Sequence, residues 1–323
     1  MNRNRMPYII GALLLLALVL PYVAYPIFLM KILCFALFSS AFNLLLGYTG
    51  LLSFGHAAFL GTGGYICGYV IRNLGYSPEL GILAGVSCSM VLGLVMGGLA
   101  IRRQGIYFAM ITMALGQLAY FFFLEAPFTG GEDGMQGIPR GRLLGLIDLQ
   151  SDITMYYVVL FITVASVLFI SRVTTSPFGK VLFAIKENEP RAISLGYKVD
   201  RFKLLAFVLS GALAGLAGSL QALMLGFESL SDPHWTTSGL VILITLVGGV
   251  GTLIGPIVGG VIIVVLEQKV GDIGTWLYHL TSIEWFNTLG ESVSIVTGLI
   301  FVICVMSFRK GIIGELQDRW KNS

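Results

Sequence analysis

The sequence predicts an all-α membrane protein of about ten transmembrane helices, with glycine-broken or re-entrant hairpins among them and both termini in the cytoplasm. Composition is the first reason. Hydrophobic residues make up 56% of the 323 residues and charged residues only 11%, whereas a soluble domain carries roughly 25% charged residues. The mean hydropathy is +0.87. The 41 glycines are typical of helices that approach one another closely in a bilayer.

The second reason is a series of apolar segments. Arg3 and Arg5 precede the first segment, IIGALLLLALVL, and no small-residue cleavage site follows it. We therefore interpret it as an uncleaved span whose N-terminus lies inside. An even total of ten spans places both chain ends on the same side. The nine further segments lie at about 27–46, 51–71, 79–101, 105–124, 153–171, 204–225, 238–252, 253–267 and 290–307.

The distribution of charge agrees with this topology, because cytoplasmic loops of membrane proteins are enriched in Lys and Arg. Most basic residues fall in the two chain ends, the loop that holds Arg102, and segment 172–203. Acidic residues dominate the predicted outer loops, such as 125–152 and the loop after span 204–225, which holds Glu228 and Asp232. Spans 238–252 and 253–267 hold 15 residues each, fewer than the roughly 20 needed to cross a bilayer. The sequence leaves open whether these two cross fully or are re-entrant.

Two glycine-broken hairpins stand out, at 43–65 (NLLLGYTGLLSFGHAAFLGTGGY) and at 248–260. Unwound backbone at membrane depth is tolerated only beside protein or water, so broken spans often mark a transport path. The first hairpin also carries polar side chains, which at such depth usually have a function. The candidates for the path are Asn43, Ser53 and His56. Two structural alternatives remain: the glycines serve only close helix packing, and His56 bonds a neighbouring carbonyl.

Segment 172–203 is the longest polar interval and is predicted to be a cytoplasmic loop. Four apolar residues at helical spacing predict a first amphipathic helix: Phe178, Val181, Leu182 and Ile185. A short second helix is marked by Pro190 at its first turn, Glu189 at its electropositive start and Gly196 as a left-handed stop. We expect this helix to be exposed, with Glu187, Glu189 and Arg191 available to another protein. The alternative is a solvated loop without a partner.

Several kinds of chemistry are not indicated. The sequence lacks a phosphate-cradling GxxxxGK[ST] motif, so ATP hydrolysis by this chain is not expected. The four cysteines lie inside apolar spans at spacings that fit no metal motif, and His234 and His279 have no ligand partners at suitable spacing. The basic residues form no single patch, so nucleic acid is not an expected partner. We expect neither an enzyme nor a cofactor bound by this chain.

Four motifs, taken in order, resemble the LivM family of permeases from ABC importers of the branched-chain amino acid type. They are GYTGLLSFGHAAF in the first hairpin, TGGEDGMQGIP in loop 125–152, AIKENEPRAISLGY followed by KLLAFVLSGALAGLAGSL, and FRKGIIG at 308–314. The resemblance runs from about Asn43 to Gly314. One departure concerns the wider Glu-Ala-Ala…Gly loop of importer permeases: Glu189 is followed by Pro190 and Arg191, and Gly196 comes seven residues later.

The resemblance implies one transmembrane permease domain over 1–323 in the bacterial inner (plasma) membrane. It implies that loop 172–203 supplies the coupling helix that docks into an ATPase, and that loop 125–152 meets a periplasmic binding protein or packs as a surface loop. The implied partners are a paralogous permease subunit in a heterodimer, two ATPase subunits carrying ATP-Mg, the binding protein and the lipid bilayer. The implied coupling residues are Lys186, Glu187, Asn188, Glu189, Arg191, Ala192 and Gly196.

The implied function is ATP-driven import of branched-chain or related amino acids. Related permeases serve urea and short amides, and no residue of the sequence decides between these substrates. An ion-coupled secondary transporter is a second hypothesis, and it predicts ionisable residues inside the membrane. The sequence offers only Glu267, at the end of a span, for that role. A membrane scaffold without transport activity is a third hypothesis, and it gives the broken helices no purpose.

Overall fold

The computed structural model describes residues 17–281, 298–299, 302, 306 and 311–315. This part of the chain is mostly helical. Its α-helices are α1 (Pro26–Thr49), α2 (Ala57–Arg72), α3 (Pro78–Ala100), α4 (Ile106–Glu125), α5 (Asp152–Thr175), α6 (Pro177–Glu187), α7 (Glu189–Ser194), α8 (Val199–Leu225), α9 (Trp235–Gly248) and α10 (Gly255–Thr281).

Short elements connect the helices. Two 3₁₀ turns lie at Leu20–Tyr22 and Gly131–Asp133. The strands are β1 (Met135–Gln136), β2 (Arg142–Leu143), β3 (Ile147–Asp148) and β4 (Phe227–Glu228). β1 pairs antiparallel with β4, so that Met135 lies opposite Glu228, and β2 pairs antiparallel with β3. The β1–β4 pair therefore joins the loop before α5 to the end of α8.

Proline and glycine set several helix boundaries. Prolines occupy the first turns of α1, α3, α6 and α7, where a missing N–H group leaves no hydrogen bond unmade. Gly50 ends α1 and Gly226 ends α8, both in the left-handed conformation that glycine adopts without strain. These boundaries follow from local sequence.

α8 lies at the centre of the bundle. It packs most extensively against α2 and α3 and also against α1, while α1 in turn contacts α5 and α10. Small residues permit this packing, as expected for helices in a bilayer. A Cβ added at Gly63 would lie 2.0 Å from the Gly215 carbonyl oxygen, and one added at Gly218 would lie 1.9 Å from that of Leu60. The backbones of α2 and α8 are therefore in direct contact.

Five described helices are long and apolar enough to cross a membrane: α1, α3, α4, α5 and α8. They divide into two groups. In the most apolar windows of α1 and α8, 78% and 72% of the residues are buried, whereas the values for α3, α4 and α5 are 33%, 28% and 39%. The outer group exposes large apolar side chains such as Leu83, Leu118 and Phe161, which is the surface expected to face lipid.

Comparison with the predicted spans gives a mixed result. Helices are confirmed at 27–46, 79–101, 105–124, 153–171 and 204–225, each with slightly different ends. The prediction was wrong at 51–56, where the chain is not helical, since α2 begins at Ala57. α9 is short, at 14 residues, but α10 has 27 residues and extends well past the predicted end at 267.

Two predicted spans cannot be compared with the structure. Most of the first span lies outside the described residues, which begin at 17, and most of span 290–307 also lies outside them. The same holds for Arg309 and Lys310 of the FRKGIIG motif. His279 lies between predicted spans 253–267 and 290–307, but in the structure it is part of α10.

Candidate functional site

The two glycine-broken hairpins predicted from the sequence meet in the structure. Asn43, in α1, is 2% exposed. Its Nδ2 donates to the carbonyl oxygen of Thr252 at 2.8 Å, and its Oδ1 accepts from the backbone N–H of Gly251 at 2.8 Å. One side chain thus satisfies two backbone groups of the turn between α9 and α10. Without it, these partly buried groups would lose their hydrogen bonds to Asn43.

Gly47 makes this contact possible. A Cβ added at Gly47 would lie 2.4 Å from Asn43 Oδ1 and 2.8 Å from the Gly251 nitrogen. Both distances are too short for real atoms, so any side chain at this position would push the two hairpins apart. The last turn of α1 and the α9–α10 turn are therefore held backbone against backbone.

A third segment reaches the same point. The Nζ of Lys186, in the last turn of α6, donates to the Gly47 carbonyl oxygen at 2.7 Å. The last carbonyls of a helix lack partners within the helix, and a cation there also interacts favourably with the helix dipole. We call the contact set of Asn43, Gly47, Lys186, Gly251 and Thr252 the hairpin junction.

His56 lies deeper in the bundle, just before α2, and is fully buried. Its ring packs among Phe38, Phe42 and Phe59. The Ser210 hydroxyl donates to the Ala41 carbonyl at 2.5 Å and lies 3.2 Å from His56 Nε2. Because the hydroxyl hydrogen is used, we assign the N–H to Nε2, which then donates to Ser210.

Two buried polar atoms of this segment have no hydrogen-bond partner within the described part of the chain: His56 Nδ1 and Ser53 Oγ. Asn43, in contrast, uses both ends of its amide. The predicted role of Asn43, Ser53 and His56 in a substrate path stays a prediction. In this conformation all three are enclosed by protein, and Asn43 connects two hairpins.

The α6–α7 segment follows the predicted pattern closely. The apolar stripe of α6 faces inward, with Leu182 and Ile185 buried. Pro190 lies in the first turn of α7, and Gly196 has a left-handed φ of 88°. A cap that was not predicted precedes α7: Asn188 Oδ1 accepts from the Arg191 N–H at 3.0 Å, as an N-terminal capping residue does.

α7 differs from the prediction in one respect, since it is not exposed on all sides. Glu189 Oε1 pairs with Lys203 Nζ at 2.7 Å, and the two side chains are 19% and 3% exposed. Ala192 is buried and packs with Ile185 and Val199. These contacts anchor α7 to α6 and α8. A basic residue within the first two turns of an apolar helix, such as Lys203, is the signal that would have predicted the pair.

The opposite face of α7 is open. Arg191 in α7 is exposed, as are Glu187 at the end of α6, the cap Asn188 and Gly196 beyond α7. Beside them lie three apolar side chains with high exposure: Ile193 at 57%, Leu195 at 69% and Tyr197 at 43%. An apolar patch rimmed by charges is typical of a protein contact surface. None of these three residues was predicted to take part in a contact surface.

The far end of the bundle holds loop 125–152, which is ordered against the helices. Arg140 pairs with Asp152 at 2.6 Å and donates to the Met224 carbonyl at 2.8 Å. The β1–β4 pair adds a second attachment to α8. We call this end, with loop 125–152 and residues 226–234, the acidic end, and the end with segment 172–203 the basic end. In the described residues no group of three His, Cys, Asp or Glu could hold a metal ion.

Comparisons with known proteins agree with one another. Residues 25–306 match the family described as "Branched-chain amino acid transport system / permease component". The high-affinity branched-chain amino acid transport system permease protein LivM of Escherichia coli (strain K12) is 29% identical over 71% of this chain. The chain spans 60% of the length of that protein.

More distant similarities also occur. The autoinducer 2 import system permease protein LsrC of Photorhabdus laumondii is 26% identical, over 71% of this chain and 73% of that protein. Among solved structures, PsaBC from Streptococcus pneumoniae in complex with Fab aligns over 86% of this chain and 91% of that one, with 14% identity and a TM-score of 0.40. At that TM-score the likeness supports no conclusion about fold.

Proposed function

Because this chain belongs to the family of branched-chain amino acid transport system permease components, we propose that it is the transmembrane subunit of an ATP-driven importer. Its substrate would be a branched-chain or closely related amino acid. The basic end would face the cytoplasm and its ATPases, and the acidic end would face the periplasm. The single observation that carries this proposal is the hairpin junction, which ties a polar surface helix to two broken spans.

The junction explains how force from outside the bundle would reach the path. α6 and α7 form one unit, packed through Ile185 and Ala192. The unit is attached to α8 by contact with Val199 and by the Glu189–Lys203 pair. A displacement of α7 by an ATPase would therefore also move Lys186. Because Lys186 is bonded to Gly47, the end of α1 and the α9–α10 turn would move with it. Packed elements of this kind switch between discrete arrangements and do not deform continuously.

The exposed surfaces at the two ends of the bundle would contact different partners. The patch of Ile193, Leu195 and Tyr197 would enter a groove of an ATPase subunit, and the exposed charges around it would set the orientation. The other ATPase subunit would serve the paralogous permease subunit of the heterodimer. ATP-Mg would bind to the ATPases alone. At the acidic end, loop 125–152 is held firmly enough by Arg140 to serve as a platform for a periplasmic binding protein.

The ion-coupled secondary transporter remains a competing hypothesis. It requires buried ionisable residues, and the described part of the chain buries Glu228 in β4 as well as His56 and Lys203. Against this hypothesis stand the family and the exposed surface of α7, which a transporter acting alone would not need.

Reconstitution in proteoliposomes tests the proposal. The chain, its paralogous partner, the two ATPases and the binding protein are assembled, and uptake of radiolabelled L-leucine is measured with and without ATP inside. We expect uptake that requires both ATP and the binding protein. Uptake driven by an ion gradient without ATP would contradict the proposal.

Cysteine labelling tests the assigned sides. In a background with Cys88 replaced, because it is exposed, Asp133→Cys should react with an impermeant thiol reagent added to intact cells. Asn188→Cys should react only after the membrane is opened. The reverse pattern would invert the topology.

A further inference from the structure

Glu228 is the most unusual ionisable residue of the described chain. It lies in β4 at the acidic end, opposite Met135, and its residue exposure is 1%. Neither carboxyl oxygen has a hydrogen-bond partner among the described residues. Ionisable side chains with this degree of burial are normally paired, because an isolated charge is very unfavourable in an apolar environment.

The side chain is held against α2. A Cβ added at Gly64 would lie 2.2 Å from the Glu228 carboxyl carbon and from its Oε2. The carboxyl group thus occupies the space that any other residue at position 64 would fill. The backbone at Gly134 is equally close, since a Cβ there would lie 2.3 Å from the Glu228 carbonyl oxygen. Two glycines from different segments therefore admit this glutamate to the interior.

A second buried polar group, the Tyr65 hydroxyl, lies in the same region as Glu228. Tyr65 follows Gly64 in α2 and is 0% exposed. Its ring stacks on Phe123 at 4.8 Å, and its hydroxyl has no hydrogen-bond partner in the part of the chain that the structure describes. Tyr65 directly follows the glycine against which the Glu228 carboxyl group packs, and its hydroxyl interacts electrostatically with Glu228 and Asp232.

The neighbouring charges do not neutralise Glu228. Asp232 accepts hydrogen bonds from the Gln221 side-chain amide at 3.0 Å and from the Ser229 backbone N–H at 3.3 Å. The positive charge of Lys31 interacts with Asp232 and Glu267. The described charged group that acts on Glu228 is Asp232, another acid. Burial and this carboxylate together raise the pKa of Glu228 well above its usual range. The surroundings favour a positive ligand and disfavour a negative one.

We propose that Glu228, together with the Tyr65 hydroxyl, forms a site that binds the ammonium group of an amino acid at the acidic end of the path. A primary ammonium group has three N–H donors. As it enters, Glu228 would release its proton to water, and the two carboxylate oxygens and the phenol oxygen would then be three acceptors. Hydrogen bonds between such charged groups are the strong ones in proteins. The substrate's carboxylate would be repelled by Glu228 and Asp232, so the site orients the substrate as well as holding it.

This inference rests on the proposed function, and it assigns that function a chemical requirement: the substrate must carry a cationic nitrogen. Urea and simple amides do not meet the requirement. The position also fits the sequence of events, because β4 pairs with β1 of loop 125–152. That loop is the surface on which a binding protein would release its substrate.

The test compares two probes of the same shape in the reconstituted importer. L-leucine carries the ammonium group, and L-2-hydroxyisocaproate has a hydroxyl group in its place. We expect wild-type protein to take up L-leucine at least tenfold faster than the hydroxy acid. Glu228→Gln should lower L-leucine uptake at least tenfold, and Glu228→Asp should restore part of it.

Controls separate a binding defect from a folding defect. Glu79→Gln, which removes a carboxylate from the start of α3, should leave uptake near the wild-type rate. Tyr65→Phe removes a single oxygen atom and should lower L-leucine uptake severalfold, so it tests the site even if Glu228→Gln does not fold. Thermal unfolding in detergent reports the folded state of each variant.

Three outcomes would overturn the inference. If Glu228→Gln and Tyr65→Phe take up L-leucine at wild-type rates, the ammonium site is refuted and the proposed function is unaffected. Equal uptake of both probes by wild-type protein would show that the ammonium group is not recognised. Absence of L-leucine uptake by the complete wild-type assembly would overturn both the inference and the proposed function.

Discussion

The hairpin junction at the basic end and the Glu228–Tyr65 site at the acidic end differ in the pairing of their polar groups. At the basic end the hairpin junction pairs its groups: Asn43 uses both amide atoms, and Lys186 bonds Gly47. At the acidic end Glu228 and Tyr65 are buried without hydrogen-bond partners in the described chain. A satisfied network holds parts together, whereas unsatisfied groups at a functional site are available to a ligand. The comparison assigns mechanical connection to one end and recognition to the other.

The largest expected effect comes from separating the hairpins. Gly47→Val would place atoms where Asn43 Oδ1 and the Gly251 nitrogen now lie. Overpacking commonly costs about 1–3 kcal/mol, and here the clash is partly with backbone, which cannot turn aside. We expect no folded protein in detergent by size-exclusion chromatography.

A matched control exists in α3, because nothing lies within 4 Å of a Cβ added at Gly98. Gly98→Val should give a normal yield of folded protein. Normal folding of Gly47→Val as well would show that the hairpins are not held in contact by this glycine.

The second effect concerns the anchor of α7. Glu189→Lys would place a second positive charge beside Lys203, which is 3% exposed, and breaking a buried ion pair typically costs about 3–5 kcal/mol. We expect loss of substrate-stimulated ATP hydrolysis in the assembled complex, as we also expect for Gly196→Pro. The helices that cross the membrane should still insert.

The charge-swapped double variant Glu189→Lys with Lys203→Glu distinguishes two roles for Glu189. If the residue acts by anchoring α7, the swap should restore most of the ATP hydrolysis. A double variant as inactive as Glu189→Lys would instead favour direct contact between Glu189 and an ATPase.

A smaller effect is expected for the link from α6 to α1. Lys186→Met keeps most of the side-chain volume and removes the hydrogen bond to Gly47. ATP hydrolysis should continue while uptake per ATP falls by about tenfold, a change equivalent to about 1.4 kcal/mol in coupling. Lys180→Met, an exposed position on the same helix, is the control. An unchanged ratio of uptake to hydrolysis would separate Lys186 from coupling.

The smallest effect concerns the acidic end, where replacing the ionisable group of Glu228 with an amide should stabilise the fold above the usual carboxyl pKa. The pKa of Glu228 is raised from 4.5 by burial, so the folded protein keeps its proton when the unfolded chain has lost it. Unfolding then releases a proton, and stability falls as the pH rises above about 4.5. Glu228→Gln should raise Tm by a few degrees at pH 8 and hardly at all at pH 4. An equal shift at both pH values would contradict the raised pKa.

The sequence by itself determined the local features. Helix boundaries at proline and glycine, the inward stripe of α6 and the limits of α7 depend on neighbouring residues, so they could be predicted from short windows. The glycine breaks were also visible. What could not be predicted is the bonding of Asn43, whose partners lie 208 and 209 residues away, or that of Lys186 to a carbonyl 139 residues away.

Burial was the other property that only the tertiary structure decided. Glu189 was predicted to be exposed because it lies in a polar loop, yet Lys203 on α8 pairs with it. Glu228 was grouped with solvent-facing acids of the outer loops, yet β4 turns it toward Gly64 in α2. Sequence shows which groups can ionise. Whether a carboxyl group is solvated, paired with a lysine or buried without a partner depends on the elements that pack around it. In this bundle those elements are helices distant in sequence.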